Sequence, residues 1–174
     1  MAQSLAKNLV HIIFSTKNRQ PIILPSVQDD LKAYLIGTLT NLDSPSIETN
    51  CTEDHVHVLC AISKNRSLAS LMEELKKSSS KWVKGKGAEF GDFYWQSGYG
   101  AFSVSQSNVE SVRRYIRDQR RHHREMTFEE EFRRFLDKHQ IEFDERYVWA
   151  RAVGLRPFRA YLVLHPKPRA TLPA

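Results

Sequence analysis

The stretch Glu53-Asp54-His55-Val56-His57-Val58-Leu59 constrains this chain more than any other. Successive strand side chains point to opposite faces, so Val56 and Val58 belong to a core while His55 and His57 project together from the other side. A chain carrying this run needs a sheet with one apolar face and a second face bearing two imidazoles. Histidine is the commonest protein metal ligand, and two on a rigid strand hold a cation with little ordering cost. The pair is thus half of a metal site, or two polar residues on a solvated sheet face, and the rest of the chain has to decide.

The flanking sequence supplies the partners of that strand. Leu9 to Thr16, "LVHIIFST", is rich in β-branched and aromatic residues and closes on a polar turn ending at Pro21. Ser26 stands as an N-cap before Val27, Leu31, Tyr34, Leu35, Leu39 and Leu42, an apolar stripe at helical spacing. Ile47 to Thr52 is a short strand joined by Glu53-Asp54 to the histidine strand, a hairpin. Ser67 caps a second helix with Leu68, Leu71, Met72, Leu75 and Trp82 inward and Lys76, Lys77, Lys81 and Lys84 on other faces. Tyr99 to Ser105 alternates as a fourth strand. Strand, helix, strand, strand, helix, strand is the order of an α+β, ferredoxin-like (RRM-like) sandwich: an antiparallel sheet with helices on one face, followed here by further helices.

After the sheet, Ser107 with Glu110 reads as a capping box opening a third helix. At about 100° per residue, Val109, Val112 and Ile116 share a face, and Tyr115 and Gln119 fall on or beside it. Arg113, Arg114, Arg117, Arg120, Arg121 and Arg124 gather opposite. An inward amide needs a partner, because an unsatisfied buried polar group costs roughly 1 to 3 kcal/mol; a metal or a phosphate would serve. Thr127 to Glu130 is a second capping box, before a helix with Phe128, Phe132, Phe135 and Leu136 as its buried stripe, which reads as scaffold. His122 and His123 diverge on a helix and extend the basic surface.

The 174-residue chain carries 26 Lys and Arg against 20 acidic residues, a net charge of +6. That excess favours a polyanionic partner such as nucleic acid. Cys51 and Cys60 lack Cys-x-x-Cys spacing, no signal segment precedes them, and no apolar run reaches the roughly 20 residues that span a bilayer. A cytoplasmic protein with reduced thiols is expected. Gly85 to Gly91 lacks the Gly-Lys-Ser/Thr ending of a P-loop, so no nucleotide cofactor is expected. From Arg151 onward basic residues and prolines occur without acids, which divides the chain into a domain over 1–150 and a basic tail over 151–174.

Several motifs in order carry a family resemblance: "HIIFSTKNRQP", "EDHVHVL", "LKKSSSKW", "WQSGYGAFSVS", "YIRDQ" and "TFEEEFRRFLDKHQIEFDERYVW". Together they resemble the HUH single-tyrosine transposases of bacterial insertion sequences, particularly the REP-associated tyrosine transposases. By that resemblance His55, His57 and Gln119 would ligate a divalent cation, Mg²⁺ or Mn²⁺, and Tyr115 would be the nucleophile. The implied reaction is cleavage and rejoining of single-stranded DNA through a covalent 5′-phosphotyrosine. The implied substrate bears a hairpin, gripped by the arginine face, Lys76 to Lys84 and the tail, and the implied assembly is a homodimer. The alternative on the same fold is a non-catalytic or domesticated hairpin-binding regulator; a small RNA-binding sandwich would leave both histidines unexplained.

Overall fold

The computed structural model describes residues 4–122 and 126–144; the tail over 151–174, His123 and Arg124 lie outside the described residues, as do the side chains of Arg120 and His122. Four strands, β1 (Asn8–Ser15), β2 (Ser46–Cys51), β3 (His55–Ile62) and β4 (Gly100–Ser103), form one antiparallel sheet in the order β2-β3-β1-β4. With α1 (Pro25–Asn41) after β1 and α2 (Leu68–Lys84) after β3, this is the expected α+β sandwich.

The period-two pattern divides the sheet as its sequence implies. Ile12, Phe14, Val56, Val58 and Cys60 form one core with Leu31, Leu35 and Leu39 of α1 and Leu71, Met72 and Leu75 of α2. Each such fully buried aliphatic side chain contributes about 1.5 to 3 kcal/mol. The opposite face carries His11, Ile13, His55 and His57, and it too is covered. Among the described residues three α-helices follow β4, namely α3 (Val109–Arg117), α4 (Gln119–His122) and α5 (Phe128–Lys138). Ile13 and Phe102 of the sheet pack there with Leu136, Phe132 and Phe135 of α5. The sheet is therefore a buried middle layer.

Some local expectations are corrected. Ser26 does not cap α1: Leu24 takes that position and Pro25 opens the helix, its fixed φ suited to a first turn. Ser67 caps α2 as expected, accepting from the Ser70 amide. The Ser107–Glu110 box does not form. A 3₁₀ turn over Gln106–Asn108 delays the helix, Ser107 bonds Ser105, and Glu110 pairs with Arg113. The box at Thr127 and Glu130 is complete.

Lys76 is not a surface cation. Its ammonium donates to the carbonyls of Gln96, Ser97 and Gly98 at 2.8, 3.2 and 2.7 Å, pinning the loop before β4. Burial pushes its pKa down to about 8, while three acceptors that only an ammonium can satisfy hold the proton on. Lys76→Met leaves those carbonyls without their charged donor and is expected to lower unfolding free energy by about 1.5 to 3 kcal/mol, read by urea denaturation. Lys77 and Lys81 are exposed, and Lys84 lies 3.4 Å from the centre of the Tyr94 ring. All three sit on the helical layer opposite the histidines, so they cannot reach the same phosphate as the imidazoles.

Candidate metal centre and nucleophile

His55 and His57 emerge from β3 on the inner face with 1% and 0% of their surfaces exposed. Each is oriented from behind. His55 Nδ1 lies 2.6 Å from Asp54 Oδ1 and 2.9 Å from Thr52 Oγ1. Donation to that carboxylate fixes the tautomer and turns the Nε2 lone pair inward. Burial opposes ionisation of Asp54, but the hydrogen bond and charge of His55, the Thr52 hydroxyl and the charge of Arg19 together outweigh it and hold the carboxyl below its ordinary range. His57 Nδ1 lies 2.9 Å from His11 Nε2, a diagonal neighbour on β1. Burial, then repulsion from His139, pushes His11 down to about 3, so it is neutral and able to accept that proton. With His57 donating there, its Nε2 also faces inward.

Gln119 meets these imidazoles by a route different from a continuous helix. α3 ends at Arg117, Asp118 is a turn residue, and Gln119 begins α4. Asn50, opposite His57 on β2, donates to the Ile116 and Arg117 carbonyls at 2.9 and 3.4 Å. It satisfies acceptors released by the break, the kind of inserted side chain that redirects a helix. Gln119 is fully buried, its Nε2 3.3 Å from His55 Nε2. Its Oε1 is buried without a hydrogen-bond partner among the described residues. That oxygen and the inward imidazole nitrogens are donors of the types a divalent cation accepts.

Tyr115, one turn earlier and half-buried, has its ring centre 6.2 Å from that of His57. Its hydroxyl donates to Glu131 Oε1. Glu131, only 4% exposed, comes from α5, and the same oxygen is 3.7 Å from His57 Nε2. His55, His57 and Glu131 each present a donor atom, all within 4.8 Å of one another. Burial first, and the adjacent Glu131 carboxylate next, push the Tyr115 phenol well above its ordinary value. The α5 helix read as scaffold thus reaches into the site. Its sequence held the signal: Glu131 is three residues after Phe128 and four before Phe135, the one carboxylate on an otherwise apolar stripe.

Beside the Tyr115–Glu131 pair is a cleft of about 500 Å³ whose walls include His11, Phe102, Arg134, Lys138 and His139. Its two cations, Arg134 and Lys138, come from α5, not from the arginines singled out in sequence. Those arginines are partly committed elsewhere. Arg113 and Arg117 lie 3.8 and 2.7 Å from Glu48 of β2, and Arg121 lies 3.4 Å from Asp118. Arg114 is exposed.

Among the described residues no helix is long and apolar enough to cross a membrane. The chain is 24% identical over 114 residues, 63% of its length and 81% of the relative's, to the ISDra2 transposase TnpA of Deinococcus radiodurans. Its fold is similar to the crystal structure of a Deinococcus radiodurans R1 protein described as a transposase, with a TM-score of 0.54, 23% identity, and 68% of this chain and 98% of that one covered. It is similar also to a REP-associated tyrosine transposase bound to a REP hairpin, with a TM-score of 0.54, 14% identity, and coverages of 71% and 73%. Residues 4–119 match the family described as "Transposase IS200 like". That span takes in both histidines, Tyr115 and Gln119, and the chain belongs to the IS200-like transposase family.

Proposed function

We propose that this protein cleaves and rejoins single-stranded DNA bearing hairpin elements, through a covalent 5′-phosphotyrosine on Tyr115 and with a divalent cation at His55, His57 and Gln119. The observation that carries this reading is the convergence of all four side chains within one chain. Gln119 Nε2 is 3.3 Å from His55 Nε2, and the Tyr115 hydroxyl shares an acceptor oxygen with the surroundings of His57. The structural relative bound to a REP hairpin supports DNA as the partner, as does the net charge of +6.

A phenol with an ordinary pKa near 10 is a weak nucleophile at neutral pH, and burial makes Tyr115 weaker still. Catalysis therefore rests on position and on polarisation of the phosphate. A cation at the two imidazoles, Mn²⁺ or Mg²⁺ by the family resemblance, would supply Lewis acidity toward a non-bridging phosphate oxygen. Asp54, Thr52 and His11 hold the imidazoles in register for it. Arg134 and Lys138 bring positive charge to the cleft beside Tyr115, where backbone phosphates would be received by contacts that carry no sequence information. Attack by Tyr115 makes a phosphodiester to the protein and releases a 3′-hydroxyl, which later reattacks. Bond energy is conserved, so no nucleotide is consumed.

The decisive assay incubates the full chain with labelled hairpin-bearing single-stranded DNA and Mn²⁺, then looks for a denaturant-resistant protein–DNA adduct. Binding without any adduct or cleavage under all metal conditions would support the regulator alternative and sink this reading.

A further inference from the structure

We infer that Glu131 is a catalytic residue, the group that takes the Tyr115 hydroxyl proton as the tyrosine oxygen attacks phosphorus; the inference rests on strand transfer through Tyr115. Glu131 Oε1 already accepts a hydrogen bond from that hydroxyl, which puts the acceptor on the atom that must lose the proton. Burying a carboxylate costs several kcal/mol, and here the buried carboxylate meets the one hydroxyl the reaction would use. The neighbouring acids perform the structural tasks: Glu129 pairs with Arg19 at 2.6 Å and Glu130 closes the capping box at Thr127. A helix that only covered the sheet would carry an apolar residue at 131, between Phe128 and Phe135 on its stripe.

In the step, a bond forms between the Tyr115 oxygen and phosphorus while the phenolic O–H breaks and its proton passes to Glu131 Oε1. The bond from phosphorus to the 3′ oxygen breaks, and that oxygen leaves with the electron pair and is protonated by water. Rejoining reverses the transfer. The 3′-hydroxyl attacks phosphorus, giving its proton to solvent, and protonated Glu131 returns its proton to the departing Tyr115 oxygen.

The test is single-turnover adduct formation on hairpin DNA with Mn²⁺, comparing the native chain with Glu131→Gln, which keeps the shape and an acceptor but cannot take a proton. The rate should fall about 10² to 10³-fold, with affinity for DNA and for Mn²⁺ (by electron paramagnetic resonance) unchanged. Placing a difluorinated tyrosine at position 115, a phenol that ionises more readily, should restore much of the lost rate. A native rate in Glu131→Gln overturns the inference, as does failure of the fluorinated phenol to rescue. Loss of Mn²⁺ affinity, with activity regained at high Mn²⁺, makes Glu131 a ligand and overturns it too. Should Glu131→Gln not fold, Glu131→Asp replaces it: a rate well above that of Glu131→Ala supports a proton acceptor, and equal rates reject it. If the native chain forms no adduct, the strand-transfer reading itself fails, a result distinct from every variant outcome.

Discussion

Tyr115→Phe is expected to bind hairpin DNA like the native chain and to form no covalent adduct at any Mn²⁺ concentration. The substitution removes one oxygen. The ring remains, with its edge-on contacts to His11 and Phe135 at 6.4 and 5.6 Å between centres, so packing of α3 on the sheet survives. Glu131 loses its hydroxyl donor, and a buried acceptor deprived of a partner costs about 1 to 3 kcal/mol. The fold should therefore hold while the chemistry disappears, an all-or-none effect visible on a denaturing gel of end-labelled DNA. An adduct of native yield in the phenylalanine variant would reassign the nucleophile.

Removal of divalent cations should be as severe, and reversible. A chelator is expected to stop cleavage while leaving the DNA bound, since binding depends on phosphate contacts, and Mn²⁺ should restore cleavage. His57→Asn should make the loss permanent. Replacing a residue that only orients a ligand costs about 10 to 100-fold in metal affinity, so removing an imidazole itself should exceed the upper figure, measured by Mn²⁺ titration. His57 is fully buried and bonded to His11, so thermal denaturation belongs beside the titration. A variant that folds, binds DNA and cleaves without added metal would disprove the metal assignment.

The sheet was legible because its information is local. Alternation in "HVHVL" and "HIIFS" set the inner and outer faces, and the stripes of α1 and α2 set what covers the apolar one. The far side was harder. The spacing of Tyr115 and Gln119 pointed to a shared face, but the break at Asp118 is held by Asn50, which donates to the Ile116 carbonyl 66 residues away. No periodicity within the helix encodes that contact. His11 lay inside a recognised strand yet gains its significance only from register, which places it diagonal to His57. Charge indicated a class of partner but not which cations stand free. Arg113, Arg117 and Lys76 count as cations in composition, but their neighbours Glu48 and the 96–98 carbonyls occupy them.

The closing together of β3, α4 and α5 in a single polypeptide bears on genetics as well as chemistry. A homodimer, suggested by the family resemblance, could in principle trade its tyrosine helix between subunits, and then two different defective copies would mend each other. Tyr115, Glu131 and both imidazoles meet here within one chain, and with the roles proposed for them each copy would stand or fall alone. Mixing Tyr115→Phe with His57→Asn protein should give no adduct, whatever the ratio. A mixture that recovers about a quarter to a half of native yield would reveal exchange of α3 and α4 between partners.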